Sequence, residues 1–309
     1  MQLQESIKIT PKAVLHAATR NAHRRYLTLA SLLLLVYSVA FMGHQWQNLL
    51  KGSSDFILNF GFIALVVRNL YRQREELRSY KALSDDRLIG YVLMLGGGMM
   101  FLAVRVGTTS ISLQALAAML IVVGMAASTW GLEFFTRFWS AAMLVLVALY
   151  PNIGYVAIRV FRFFTSKDSL EHLMAQAGSF SLNLFQFQAL AEGVYVKFPE
   201  GAVEVASGCS GFDMALSTVG IAFLMGQFMN ASRLRTAMVM FVGWALAMLF
   251  NVPRIMMLAI ASVYWGKESF DFWHGPIGGQ IFSCILFTVY YYIAMWIIEY
   301  KSQPRKNAS

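Results

Sequence analysis

Charge is scarce in this sequence. Asp, Glu, Lys and Arg make up 13% of its 309 residues, against about 25% in a typical soluble chain. That deficit excludes an ordinary water-facing surface. Cysteine is scarcer still: Cys209 and Cys284 are the only two, too few for a disulfide framework. The sequence has no internal repeat, heptad array or low-complexity tract, and no linker that marks off a second soluble domain. No small-residue cleavage site follows the basic N-terminal stretch, so the first apolar run is expected to remain as an anchor.

What fills the space is apolar: 58% of the residues are hydrophobic. The expected fold is an all-α integral membrane protein. A spanning helix needs roughly 20 mostly apolar residues. Eight stretches are candidates: Tyr26–Gly43, Phe56–Leu70, Leu88–Val104, Ile111–Trp130, Phe134–Tyr150, Cys209–Asn230, Thr236–Tyr264 and Ile277–Glu299, the second and fifth being short. The formal charge of +9 reads as cytoplasmic-loop Lys and Arg, since no stretch resembles a nucleic-acid-binding module. With both termini inside, most basic residues fall on the inner side. They are Lys8, Lys12, Arg20, Arg24 and Arg25, then Arg68 to Arg87, Arg137, Arg233 with Arg235, and Lys301, Arg305 and Lys306. Lys51 is among the fewer assigned to the outer side.

Residues 151–208 then lie outside the membrane, within a single polytopic domain of residues 1–309. Ile153, Val156, Val160, Phe164 and Leu173 form an apolar face opposed to Arg159, Arg162 and Glu171, as in an interfacial amphipathic helix. Val194, Val196 and Phe198 alternate with Tyr195 and Lys197 before Pro199-Glu200-Gly201, which predicts a short hairpin ahead of the sixth span.

Three unusual polar residues reach a similar depth on this outer side, carried by residues 209–299. Cys209 sits in SGCSG, a setting of small residues with little steric cover, and opens a predicted helix whose free N–H groups favour a thiolate. Cys284 reads as a small packing residue. Arg254 lies 18 residues into the seventh span, about 27 Å along a helix. Asn251 shares its face and Pro253 interrupts the helix beside it, and an intramembrane cation there is a functional candidate. His274 stands in FWHGPIGG, a low-bulk turn, and is the usual proton carrier near neutral pH. His16 and His23 fall inside; His44 and His172 lack such surroundings. Asp213, one turn past Cys209, could pair with Arg254, orient His274, or serve helix packing. One Cys and one His fall short of a zinc ligand set, so neither metal nor cofactor is expected.

At these places the chain resembles the exosortase/archaeosortase family, through Cys209-Ser210-Gly211, Asn251-Val252-Pro253-Arg254 and His274-Gly275-Pro276-Ile277-Gly278, in that order. The resemblance is strongest over residues 190–299. It implies a plasma (inner) membrane cysteine protease and transpeptidase. Its partners would be exported proteins bearing a C-terminal tripartite signal: a Pro-Glu-Pro-like motif, a membrane helix and a basic end. Cys209 would be the nucleophile, Arg254 the stabiliser of oxyanion or thiolate, and His274 the general acid/base, with Asn251 and Asp213 in support. The acceptor is open. Arg159, Arg162 or Lys197 could meet an acidic recognition motif on charge and side alone. The competing classes are a multi-pass transporter, with Arg254 and Asp213 along its path, and a noncatalytic envelope assembly protein.

Overall fold

The computed structural model describes residues 21–50, 53 and 55–299. Lys8, Lys12, Arg20, Lys51, Lys301, Arg305 and Lys306, used above to orient the chain, and His16, lie outside the described residues. The chain is a largely helical, multi-pass membrane protein. Helices α1 (Ala22–Leu50), α2 (Asp55–Arg72), α3 (Ser84–Gly107), α4 (Ile111–Trp130) and α5 (Trp139–Leu149) come first. They are followed by α6 (Ile153–Phe164) and α7 (Ser169–Leu184). Strands β1 (Leu190–Glu192), β2 (Tyr195–Phe198) and β3 (Gly201–Glu204) precede α8 (Phe212–Phe228) and α9 (Arg233–Ile260). Helices α10 (Lys267–His274) and α11 (Pro276–Glu299) complete the described chain.

Among the described residues, five helices are long and apolar enough to span a bilayer: α1, α3, α4, α9 with its π-helical extension to Trp265, and α11. A sixth is counted only if α5 and α6, bent by 109° at their break, act as one. The other expected spans are present as helices, but each departs from the simple criterion for a physical reason. Helix α2 carries Asp55, Arg68 and Arg72 within 18 residues. The fifth stretch breaks at Phe138, between a five-residue helix (Glu133–Arg137) and α5. Aromatic packing accompanies that break: Phe134 stacks on Trp130 at 5.0 Å and on Phe138 at 5.3 Å. Helix α8 starts at Phe212, not at Cys209, and has 17 residues.

The segment before α8 follows its sequence pattern only in part: the single amphipathic helix expected through Leu173 is two, since α6 ends at Phe164 and Glu171 and Leu173 lie on α7, where Glu171 is buried. Helix α6 is amphipathic, with Val156, Val160 and Phe164 exposed along one side. In the hairpin, Tyr195 pairs with Glu204 and Phe198 with Gly201, and β1 adds a third antiparallel strand through Leu190 and Lys197. Val196 and Phe198 are buried and Tyr195 is exposed, as the two-residue period of a half-buried strand requires.

The chain packs as two compact units. The first comprises the described residues of Met1–Gln45 and Val66–Pro151; the second those of Trp46–Leu65 and Asn152–Ser309. In the first, α3 and α4 meet through glycine. A Cβ on Gly90 would lie 2.6 Å from the Gly124 carbonyl oxygen, and one on Gly124 would lie 2.7 Å from that of Gly90. Ala115, Ala117, Ala118 and Ala127 are fully buried on the same helix. Small residues let backbones approach where lipid offers no hydrophobic drive for association. Ser110 caps α4 by accepting from Leu113 N, and Gly131 at φ +84° closes it.

In the second unit α8, α9 and α11 pack as antiparallel neighbours in constant register. Between α8 and α9, Gly226 lies against Thr236, Thr218 against Gly243, and Gly211 against Asn251. Between α9 and α11, Arg235 Nη1 donates to Ile298 O at 2.9 Å, Tyr290 packs on Gly243, and Gly279 lies beside Arg254. Each step along one helix is matched by an equal step back along its neighbour. That register brings Gly211, Asn251, Arg254 and Gly279 to one level. The first half of α2 runs along α8, with Leu58 over Gly220 and Phe62 edge-on to Phe223 at 6.3 Å, which sets Asp55 beside the first turns of α8.

Candidate active site

A cavity of about 630 Å³ opens where these helix ends meet. Its lining includes Asp55, Gly208, Asp213, Arg254, His274 and Gln280. Two of the three motif side chains, Arg254 and His274, therefore share one chamber with Asp213.

Arg254 projects from α9 beside Gly279, whose added Cβ would stand 4.0 Å from its Nη2. Its Nε is buried without a hydrogen-bond partner among the described residues. A buried donor left unmatched in a cavity wall is open to a ligand or water. His274 is the last residue of α10, exposed to the cavity, with its ring stacked on Phe270 at 5.2 Å. The small residues after it have a steric cause: a Cβ on Gly278 would collide with the Trp273 backbone, so only glycine allows α11 to begin so close behind the histidine.

Cys209 is placed differently from its expected position. It ends a 3-10 turn, Ser207–Cys209, ahead of α8, and its N–H bonds to Ala206 O at 2.8 Å. Its N–H is thus not one of the free donors of a helix start. The side chain is 5% exposed and packs in an apolar cluster with Val205, Ile255, Leu258 and Ala259, while its neighbour Gly208 lines the cavity. Small flanking residues had implied little cover; the turn rotates the sulfur inward instead. Burial pushes the thiol pKa up, and the Arg254 charge pulls the other way. Burial is the larger of the two influences, so the net direction favours the neutral thiol.

Asn251 explains how the turn is held. It is fully buried, and its Nδ2 donates to Cys209 O at 2.8 Å. Gly211 adopts φ +80°, and its Cβ position lies 3.0 Å from the Asn251 amide, so conformation and space both call for glycine there. Asn251 and Arg254, one helical turn apart, thus tie the cysteine turn to the cation. Arg254 is in electrostatic reach of both Cys209 and Asp213.

The remaining candidates separate. Arg159 and Arg162 line a second cavity that includes Ser207, Gly208 and Asp213. Lys197 lines neither cavity and is ion-paired with Glu192 across β1 and β2. Cys284 is exposed on α11 and lines neither. Asp55 was not singled out by sequence. Its Oδ1 and that of Asp213 lie 3.8 Å and 3.5 Å from where a Gly154 Cβ would stand. The signal was a carboxylate directly before an apolar run, hidden because the span was read as starting at Phe56. Among the described residues, no group of three or more His, Cys, Asp and Glu is arranged to hold a metal ion.

No curated protein and no solved structure matches the chain. One family model does, that of the transmembrane exosortase (Exosortase_EpsH), over residues 46–291. That match covers most of the chain, including every motif residue placed above, and the chain belongs to the transmembrane exosortase family.

Proposed function

We propose that this protein is a membrane-embedded cysteine endopeptidase and transpeptidase that removes a PEP-CTERM-like C-terminal sorting signal from exported proteins. The observation that carries the reading is the convergence of Arg254 and His274 on one cavity that Gly208, the residue before Cys209, also lines, within a chain of the exosortase family. In this reading the chain crosses the membrane eight times, with α2, α5 and α8 as its short spans. Both termini are cytoplasmic and the cavity faces outward. The basic residues of the inner loops support that orientation.

The chemistry follows from the groups present. The turn Ser207–Gly211 yields to expose the sulfur. The Cys209 thiol gives its proton to His274 as the sulfur attacks the scissile carbonyl carbon. Arg254 holds the oxyanion. The C–N bond breaks, His274 passes the proton to the leaving amine, and the exported protein remains as a thioester on Cys209. An acceptor nucleophile then gives its proton to His274, attacks the thioester and releases the thiol. The substrate helix lies against α8, α9 and α11, which brings its outer junction to the cavity.

Cys209→Ala tests the reading. In cells supplied with a cognate exported protein, tail removal is expected to cease while the variant reaches wild-type abundance in the membrane. Continued removal by this variant would leave the protease assignment without a nucleophile.

A further inference from the structure

The second cavity, about 670 Å³, shares Gly154, Tyr155, Gly208 and Asp213 with the first. One wall is a face of α6 bearing Tyr155, Ile158, Arg159 and Arg162 at helical spacing; the opposite wall carries Ser207, Gly208 and Phe212. Phe161 of α6 packs on Phe212 at 5.5 Å, which holds this helix against the start of α8.

The two arginines differ in what they are already doing. Arg162 Nη2 donates to Glu171 Oε1 at 2.8 Å, and Glu171 is 4% exposed. That cation is committed to neutralising a buried carboxylate, which would be costly to leave alone. Arg159 has no carboxylate partner among the described residues; its guanidinium lies over the Tyr155 ring at 5.1 Å. Stacking orients the planar fork and leaves its N–H edges available for an anion. Lys197 is already paired with Glu192.

We propose that Arg159 is a specificity-determining residue that binds an acidic side chain of the substrate peptide in this groove, beside the Ser207-Gly208 backbone that leads to Cys209. The proposal rests on the protease reading above, in which the glutamate of the Pro-Glu-Pro-like motif is the group engaged. A peptide fits better than a lipid headgroup because the groove that holds Arg159 is also lined by Ser207 and Gly208 of the cysteine turn.

The test compares processing of a substrate carrying the motif glutamate with one in which it is Glu→Lys, in proteoliposomes normalised for folded enzyme. Arg159→Glu is expected to slow removal of the acidic tail about tenfold or more and to favour the lysine-bearing tail. Arg159→Gln, which keeps the side-chain bulk, is expected to lose discrimination between Glu and Gln at that motif position. Equal effects on all substrates, or no effect, overturn the proposal. So does a slowing seen only in vesicles containing anionic lipid, which would make Arg159 a headgroup contact. Cys209→Ala is run alongside. If it still cuts, the protease reading has failed. If it is inactive while Arg159→Glu is blind to substrate charge, only the assignment of Arg159 is lost.

Discussion

The helix pair α3–α4 and the trio α8, α9 and α11 are built on one packing device and have different uses. In both, a small residue stands at each crossing: Gly90 on Gly124 in the pair, Gly226 on Thr236 and Gly243 on Thr218 in the trio. A cavity in the first unit, about 350 Å³, is lined almost entirely by apolar side chains such as Leu27, Leu34, Val122 and Phe134. The trio instead ends in Gly211, Asn251, Arg254 and Gly279, and the space beyond is charged. Close helix packing alone therefore says nothing about chemistry. What distinguishes the second unit is that its register terminates in polar residues at one level, where a misplaced crossing would scatter them.

The largest expected effect lies at that level. His274→Ala and Arg254→Ala should each abolish detectable tail removal without lowering the amount of enzyme in the membrane, as measured by immunoblot of substrate and enzyme together. Normal cutting by His274→Ala would break the link between this cavity and catalysis.

A smaller and different effect is expected from the first unit. Gly124→Leu forces a large side chain against the Gly90 backbone, and overpacking of this kind costs about 1–3 kcal/mol. Thermal unfolding in detergent should shift down, while activity per folded molecule stays at the wild-type level. A specific loss of activity would show that the two units are not separable in function.

The smallest effect sharpens the electrostatics. Burial raises the Cys209 thiol pKa and Arg254 opposes it, so alkylation should require a higher pH than for a free cysteine. Removing the opposing charge in Arg254→Gln should move the alkylation profile higher again, read in a Cys284→Ala background. An unchanged profile would mean that the guanidinium does not act on the sulfur.

Much of this arrangement was legible beforehand. Arg254 and His274 were marked by residue type and by spacing along apolar runs, because a charge near a membrane helix end and a histidine among glycines both contradict their surroundings. The hairpin declared itself through the two-residue alternation ending at Pro199. Other features depend on three-dimensional detail that no short pattern carries. The inward rotation of Cys209 follows from a single 3-10 turn and the Asn251 hydrogen bond. The commitment of Arg162 follows from Glu171, nine residues away on a different helix. Three of the eight expected spans fall short of the simple length and apolarity criterion because Asp55, Arg68 and Arg72 dilute one, Phe138 divides another, and the third begins only after the cysteine turn.

The cover over that turn has a chemical consequence of its own. A thiol that is neutral and withdrawn from water is a poor target for peroxide and for adventitious mixed disulfides, both of which take the exposed thiolate. On the protease reading proposed above, a sulfur folded away in this manner would be spared that loss for as long as no substrate is bound.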